Sequence, residues 1–218
     1  MAEAMARKSP PPRGTLVLLV RHGETPTTGK LLPGRARGLH LSDAGREQAE
    51  AVAERLGVLP RIDAIYASPL ERTRETAEPI AAARQLPVTT DKGLLEADIG
   101  EWTGMELTVA AKTPEWKTVH SYPSGFRFPG GESFPEMQQR IVGAIDRLRS
   151  AHPGQVIVLV SHADPIKAAV AHALGTHLDL FQRIVISPCS VTAISYGDTG
   201  PTVLSVNSLG DMRSVRPS

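Results

Sequence analysis

The chain has 218 residues, of which 41% are hydrophobic, and its 24 basic and 23 acidic residues give a formal net charge of +1. This length suits one well-buried domain and is too short for two large ones. The balanced charge argues against a general binder of nucleic acids or membrane surfaces, and the single cysteine, Cys189, excludes an internal disulfide and a cysteine-based zinc cage.

The first 14 residues contain prolines and basic residues but no apolar segment typical of a signal peptide. No apolar run elsewhere approaches the length of a membrane span. We therefore expect a disordered leader over residues 1–14, one domain over 15–210, a tail over 211–218, and a cytoplasmic location.

The first predicted element is a buried strand that ends in a basic pair. Residues 16–20 are apolar without a break, as in a strand covered on both faces, and Arg21 and His22 follow directly. Gly23 then allows the backbone to turn sharply and to approach a ligand. Because ligands of open α/β sheets bind beyond the carboxyl ends of strands, this segment predicts a site. The alternative is a solvated pair at a strand end.

A loop rich in glycine and proline follows over residues 26–41. Its Arg35 and Arg37 are either solvated or used by a phosphate site. Ser42 is a predicted N-cap, and apolar residues at helical spacing predict a helix that closes at Gly57. A short strand is expected over residues 62–67.

Ser68, Pro69 and Glu71 match a capping box and predict the start of a second helix. Arg72 would then lie in the first turn at the sheet edge, where the helix dipole and the guanidinium group both favour an anion. Pro79 is expected to kink or interrupt this helix.

A short edge strand is predicted over residues 88–90, and the segment after it has no clean periodicity. Residues 93–133 hold both tryptophans together with Tyr122, Phe126 and Phe128. We expect a small inserted cap over about 97–133, which either covers the core or lines the substrate pocket.

The rest of the chain repeats the pattern of a strand that ends in a histidine. Ser133 and Glu136 form a capping box that predicts a helix, and an apolar strand over 156–160 leads to Ser161 and His162. A helix from Pro165 to 174 and two closing strands, 190–196 and 202–206, complete the chain. Strands alternating with helices predict a three-layer α/β/α sandwich with a mainly parallel central sheet.

Five segments of this chain, in this order, resemble the motifs of the histidine phosphatase superfamily, the group that includes phosphoglycerate mutase. They are Arg21 to Thr25, Ser68 to Ala77, Leu95 to Gly104, Gly130 to Ser133, and Val160 to His162. One such motif would be weak, whereas five in order are specific. The resemblance spans residues 15 to about 195 and implies the phosphoglycerate mutase-like fold.

The resemblance implies that His22 is a nucleophile that becomes phosphohistidine. Arg21, Arg72 and His162 would then neutralise the phosphoryl oxygens without a metal or another cofactor. An imidazole can form such a covalent intermediate, and phosphoryl transfer needs little from the protein beyond positioning and charge.

By the same resemblance, Glu96 is the general acid and base. The acid-phosphatase branch has its acid directly after the second histidine, where this chain has Ala163, and this favours Glu96. The residues alone leave four other carboxylates open, Glu24, Asp98, Glu101 and Asp164.

The resemblance also places Thr28, Asp164 and Ser133 at the phosphate or substrate pocket. Thr28 stands where the family often has asparagine, so substrate contacts there depart from the common pattern. The other histidines lack metal-ligand spacing and are expected to be surface or structural residues, namely His40, His120, His152, His172 and His177.

Three functions fit this reading. The favoured one is hydrolysis of a small phosphomonoester, by a monomer or homodimer. A phosphomutase is the second, but mutases of the family carry an adjacent arginine pair in a longer insert, whereas here Lys112, Lys117 and Arg127 are separated. The third is a non-catalytic module that binds phosphorylated ligands, against which the complete set of motif residues argues.

Overall fold

The computed structural model describes residues 14–213 and residue 215. Apart from Gly14, the predicted leader therefore lies outside the described residues. In chain order the elements are β1 (Thr15–Arg21), α1 (Asp43–Gly57), β2 (Ala64–Ala67), α2 (Glu71–Arg84), β3 (Val88–Thr90), α3 (Leu107–Ala110), α4 (Pro114–Ser121), α5 (Phe134–Ala151), β4 (Val156–Ser161), α6 (Ala163–Ala173), β5 (Val191–Gly197) and β6 (Gly200–Ser208).

The strands form one sheet in the order β3-β2-β4-β1-β5-β6. The first four of these are mutually parallel, whereas β5 runs antiparallel to β1 and forms an antiparallel pair with β6. The prediction of a mainly parallel sheet is confirmed. Since β1 and β4 are central neighbours, both carry long uninterrupted apolar runs, as expected for strands buried on both faces.

Two separate cores cover the two faces of the sheet. Leu16, Leu18 and Val20 of β1 pack with α1 and α2, whereas Val17 and Leu19 point the other way and pack with α5 and α6. This alternation follows from the two-residue period of a strand. It confirms the three-layer α/β/α architecture.

The segment between β3 and α5 packs onto the second of these cores. Trp102, Phe126 and Phe128 are buried there, and the rings of Trp102 and Phe128 lie 5.4 Å apart at an angle of 78°. Tyr122, in contrast, is 57% exposed. The aromatic residues of the predicted cap therefore mainly cover the core.

Two of the three predicted helix caps form. The hydroxyls of Ser42 and Ser133 accept hydrogen bonds from Gly45 N and Glu136 N, and Glu136 completes a capping box by accepting from Ser133 N. The predicted capping box at Ser68 is wrong. Helix α2 begins at Glu71 and has no side-chain cap.

The expectation that Pro79 interrupts α2 is also wrong, because the helix continues to Arg84. Ala77, Ile80 and Ala81 on either side of the proline are buried in the core. Their packing outweighs the one backbone hydrogen bond that a proline removes.

The chain stays packed on the domain after β6. Met212 is fully buried and Val215 is 8% exposed, both in the core that α1 and α2 cover. The domain therefore continues beyond residue 210. Across the described ranges, 14–213 and 215, none of the helices combines the length and the apolarity that crossing a membrane would need.

Candidate active site

The site lies at the edge of the sheet where β1 and β4 end. These strands are parallel and in register, with Arg21 opposite Ser161, so the next residues, His22 and His162, leave the sheet side by side. The His22 N–H donates to the carbonyl of Ser161 at 3.0 Å, and the two imidazole rings lie 5.2 Å apart. The two predicted histidines are thus brought together.

One hydrogen bond determines which nitrogen of His22 is free to react. Its Nδ1 lies 2.7 Å from the carbonyl oxygen of Gly23, and because a carbonyl can only accept, Nδ1 carries the proton. Burial, followed by the nearby charges of Arg72 and Arg21, holds the pKa of His22 well below its usual range. The ring is therefore neutral near pH 7 and Nε2 offers a lone pair, as a nucleophile requires.

The turn after His22 is held against helix α1 by close backbone packing. A Cβ at Gly23 would lie 2.5 Å from the carbonyl oxygen of Gly45, so no larger residue fits without moving the backbone. The Gly23 N–H also donates to Thr76 Oγ1 at 3.0 Å. These contacts fix the direction in which the His22 side chain leaves β1.

Arg21 and Arg72 bring two guanidinium groups to the same edge. Arg72, from the first turn of α2, is fully buried and donates from Nη2 to the carbonyl of Gly34 at 2.8 Å. Arg21 donates from Nη1 to the carbonyl of Ile186 at 2.7 Å. Burial lowers the pKa of both arginines, but a guanidinium group stays charged at neutral pH.

His162 is held by a residue that the sequence assigned to another role. Its Nε2 lies 2.9 Å from the hydroxyl of Ser68, and both residues are fully buried. This contact explains why Ser68 does not cap α2. Burial, with the charge of Arg72, holds the pKa of His162 well below its usual range.

Three buried nitrogens at this edge have no hydrogen-bond partner. Among the described residues, none pairs with Arg21 Nε, Arg72 Nε or His162 Nδ1. Buried polar groups are normally paired, so a cluster of unpaired ones calls for a ligand or water. Two positive charges beside these nitrogens select an anion.

Glu96 approaches the histidines from the loop after β3. Ser161 Oγ donates to the carbonyl of Leu94 at 2.8 Å, which ties this loop to the end of β4. Glu96 Oε1 accepts from Ala97 N, and Oε2 lies 4.0 Å from His162 Nδ1. Burial, with the charge of Asp164, raises the pKa of Glu96 to about 7. Such a carboxyl group can both give and take a proton at neutral pH.

The competing carboxylates have other partners. Glu24 Oε1 accepts from Gln48, Asp98 pairs with Arg35 at 3.2 Å, and Asp164 pairs with Lys167 at 3.1 Å. Glu101 is exposed. Of the five candidates, Glu96 therefore has the geometry and the protonation behaviour that suit an acid and base.

The three predicted pocket residues differ in their surroundings. Asp164 is close enough to raise the pKa of Glu96, and therefore lies near the site. Thr28 Oγ1 accepts from Thr25 N at 2.9 Å and so shapes the loop after β1. Ser133 is engaged with Glu136 as the cap of α5, so its role in binding phosphate stays a prediction that this bonding does not support.

Sequence reasoning missed a cluster of charged residues behind Glu96. Arg35, Glu132 and Arg140 meet there, and both arginines donate to the Glu96 carbonyl, at 2.9 Å from Arg35 and 3.2 Å from Arg140. Glu132 belongs to a motif that the resemblance identified, but Arg140 carries no local signal, since the backbone carbonyls to which it donates lie more than 40 residues away in the chain.

The remaining histidines are surface or structural residues, as expected. His40, His120, His172 and His177 are exposed, whereas His152 is partly buried and bonded to Tyr66. Within the part of the chain that the structure describes, no three histidine, cysteine or acidic side chains are grouped so as to hold a metal ion.

Comparison with known proteins identifies the family. The model of the histidine phosphatase superfamily, branch 1, matches residues 17–209. The chain belongs to the histidine phosphatase superfamily. As a member of this family it is an enzyme.

Relatives of this histidine phosphatase include proteins named as phosphatases and proteins named for phosphoglycerate mutase. The chain is 34% identical over 196 residues to phosphoserine phosphatase 1 of Hydrogenobacter thermophilus, covering 88% of this chain and 91% of that protein. It is 37% identical over 161 residues to phosphoglycerate mutase-like protein 4 of Arabidopsis thaliana, covering 72% and 70%. A phosphoserine phosphatase from Entamoeba histolytica, solved with phosphoserine, is 26% identical with a TM-score of 0.80 and covers 89% of this chain and 97% of its own.

Proposed function

We propose that this histidine phosphatase hydrolyses a small alkyl phosphomonoester through a phosphohistidine on His22. Arg21, Arg72 and His162 hold the phosphoryl oxygens, and Glu96 serves as acid and then base. In this mechanism two buried guanidinium groups supply the positive charge that a metal supplies in other phosphatases. A metal-independent enzyme with one buried, unpaired cysteine suits a cytoplasmic setting.

In the first step the lone pair of His22 Nε2 attacks phosphorus while the bond from phosphorus to the ester oxygen breaks. The departing alkoxide takes the proton of the Glu96 carboxyl group. The Nδ1–H bond to the Gly23 carbonyl stabilises the positive charge that develops on the ring. The products are phosphohistidine and a free alcohol.

In the second step the Glu96 carboxylate takes a proton from water, whose oxygen attacks phosphorus. The bond from phosphorus to Nε2 breaks, the electron pair returns to His22, and inorganic phosphate leaves. Glu96 ends protonated, ready for the next turnover. A pKa near 7 lets one carboxyl group perform both transfers at neutral pH.

The observation that carries this proposal is the set of three unpaired buried nitrogens around His22. Arg21 Nε, Arg72 Nε and His162 Nδ1 find no partner among the described residues. We take His162 Nε2 to accept from the Ser68 hydroxyl, so that Nδ1 carries the proton and donates as the arginines do. A phosphoryl group has three oxygens to accept from them. A purely structural cluster would leave these donors paired.

The cap supports hydrolysis over the mutase alternative. Its basic residues Lys112, Lys117 and Arg127 are exposed and separated, and Arg127 is paired with Glu136. This leaves no adjacent pair of arginines to grip a substrate carboxylate. The names of the relatives make phosphoserine the first substrate to test, with 3-phosphoglycerate as the mutase control.

The test is to trap the covalent intermediate. Protein is mixed with radiolabelled phosphoserine in EDTA and quenched in alkaline detergent, since phosphohistidine is labile to acid. We expect label on the wild type and on His172→Ala, an exposed control, but not on His22→Ala. Turnover by His22→Ala should fall by roughly 10⁴-fold or more.

Two results would contradict the proposal. Label that persists in His22→Ala would assign the nucleophile to another residue. Isomerisation of 3-phosphoglycerate without release of phosphate would make the enzyme a mutase. If neither label nor turnover is found with any small phosphomonoester, the binding module becomes the better account.

A further inference from the structure

The segment that carries Glu96 is held from behind by a charged cluster, Arg35, Glu132 and Arg140. Arg35 Nε and Arg140 Nη2 both donate to the carbonyl of Glu96, although one arginine comes from the loop after β1 and the other from α5. Arg140 Nη1 also donates to the carbonyls of Gly93 and Leu95, at 3.0 and 2.8 Å. The backbone just before and at Glu96 is therefore pinned by two guanidinium groups.

Glu132 joins the two arginines and adds a third attachment. Its Oε1 accepts from Arg140 Nη2 at 2.6 Å and from the backbone N–H of Asp98 at 3.0 Å. Arg35 Nη2 lies 3.1 Å from the same oxygen, within ion-pair distance. Glu132 thus holds the carbonyl at residue 96 through the arginines and the N–H at residue 98 directly.

These contacts of Arg35, Arg140 and Glu132 with the backbone determine where the carboxyl group of Glu96 points. Ala97, the residue between the two attachment points, donates from its N–H to Glu96 Oε1 at 2.9 Å. With Oε1 held by this backbone, Oε2 is the oxygen that lies toward His162. A shift of the 96–98 backbone would therefore move the proton-carrying oxygen relative to the phosphoryl site.

Glycines in the segment after Glu96 and in the segment before Glu132 allow these two segments to touch. A Cβ at Gly131 would lie 2.2 Å from the carbonyl of Asp98, and a Cβ at Gly100 would lie 2.1 Å from the carbonyl of Pro129. Both contacts are with backbone atoms, so no side-chain motion could relieve them. The close approach brings Glu132 within reach of the Asp98 N–H.

We infer that Glu132, acting through Arg35 and Arg140, is a positioning residue that aims the Glu96 carboxyl group at the leaving oxygen of the substrate. The inference rests on the proposed role of Glu96 as general acid. The carboxylate of Glu132 is bonded to the two arginines and to the Asp98 N–H, and in this role it does not itself transfer a proton. In the first step, the transfer to His22, its effect should appear only where the leaving group needs an acid.

The basicity of the leaving group provides a test that a structural role would not reproduce. An alkoxide such as that of phosphoserine needs a proton as it departs, whereas the phenolate of para-nitrophenyl phosphate leaves without one. We expect Glu132→Gln to lower kcat/KM for phosphoserine by about ten- to a hundredfold, the effect of a misplaced catalytic group. Its kcat/KM for the aryl ester should fall by less than about threefold. The ratio kcat/KM is used because it reports transfer of the phosphoryl group to His22, whereas kcat also contains the hydrolysis of phosphohistidine, which both esters share.

Three further variants complete the experiment. Glu136→Gln, in the same segment but bonded to Arg127 and to the cap of α5, is the matched control and should behave as wild type. Glu96→Gln should show the same leaving-group selectivity in kcat/KM more strongly. The double variant Glu96→Gln, Glu132→Gln should then be no worse than Glu96→Gln alone by more than about threefold, since two residues that act as one unit are not additive.

The outcomes separate this inference from the proposed function. Equal losses on both esters, no loss, or additive losses in the double variant would overturn the positioning role while leaving Glu96 as the acid. If Glu96→Gln itself shows no selectivity, the proposed role of Glu96 fails instead. Should Glu132→Gln not fold, Arg35→Gln removes one donor to the Glu96 carbonyl from a partly exposed position and tests the same pattern.

Discussion

Strands β1 and β4 have polar residues at both ends, and the two ends differ in how completely these residues are hydrogen-bonded. Where the strands begin, Thr15 Oγ1 donates to the carbonyl of His152 at 2.9 Å and accepts from Gly154 N. His152 bonds through Nε2 to the hydroxyl of Tyr66 at 2.8 Å and through Nδ1 to Gln155 Oε1 at 2.6 Å. Both ring nitrogens of this histidine have a partner.

Where the same strands end, His22, His162 and Arg72 are more deeply buried than His152, but the polar groups there are less completely bonded. His162 is fully buried, yet its Nδ1 has no hydrogen-bond partner among the described residues, and the same holds for the Nε atoms of Arg21 and Arg72. Each unpaired buried donor costs stability that a paired one would not.

The difference indicates what each edge contributes. At the edge where the strands begin, the polar groups bond to one another, and this stabilises the fold. The edge where they end keeps its donors and charges free for a ligand, as active sites do at the expense of stability. Substitutions at the two edges should therefore separate activity from stability.

Of the substitutions that compare the two edges, the largest effect is expected from replacing the buried guanidinium group at the site edge. Arg72→Lys keeps the positive charge but loses the planar guanidinium group with its parallel N–H donors, the fork of the side chain. It should lower kcat/KM by roughly 10²–10³-fold. Steady-state kinetics with phosphoserine measure this. Arg74→Lys, at an exposed position on the same helix, is the control and should retain full activity. A small loss in Arg72→Lys would mean that the fork does not hold the phosphoryl group.

The pH dependence of the reaction should follow Glu96. The protonated form, which donates to the leaving alkoxide, is lost above a pKa of about 7, so kcat/KM for an alkyl phosphate should fall about tenfold per pH unit above neutrality. Because the pKa of His22 lies well below its usual range, His22 adds no acid limb near pH 6. A pH profile of wild type and Glu96→Gln checks this, and an alkaline limb that persists in Glu96→Gln would contradict it.

A smaller effect is expected where a hydroxyl orients a histidine. Ser68→Ala removes the partner of His162 Nε2 and should lower kcat by about five- to tenfold, the value of one hydrogen bond. The helix content should be unaffected, since Ser68 does not cap α2. Kinetics and circular dichroism test both statements. A loss of helix with full activity would return Ser68 to a structural role.

The smallest effect on activity is expected at the opposite edge. Tyr66→Phe leaves His152 Nε2 without its donor and should lower the free energy of unfolding by about 1 kcal/mol. Turnover should stay within about twofold of wild type, because this cluster lies where the strands begin. Urea unfolding and kinetics on the same preparation provide the measurement. A loss of turnover would contradict the conclusion that this edge affects stability and not activity.

Local patterns predicted much of this molecule. The apolar runs before Arg21 and His162 required buried strands, and parallel pairing of such strands brings their carboxyl ends to one edge. The caps at Ser42 and Ser133 also followed from local spacing, because a helix N-terminus needs an acceptor within three residues. The same local rule failed at Ser68, where a histidine 94 residues away competes for the hydroxyl.

The sequence by itself determined the main strands and helices and the three layers, because these depend on periodicity and short-range bonding. Its resemblance to the family supplied the residues expected at the site. Only the tertiary structure decided which carboxylate is buried enough to have a raised pKa, which donors stay unpaired, and which residues hold the Glu96 backbone. Those properties depend on burial and on contacts between distant segments, as where Arg35, Glu132 and Arg140 meet behind Glu96. No local spacing encodes them.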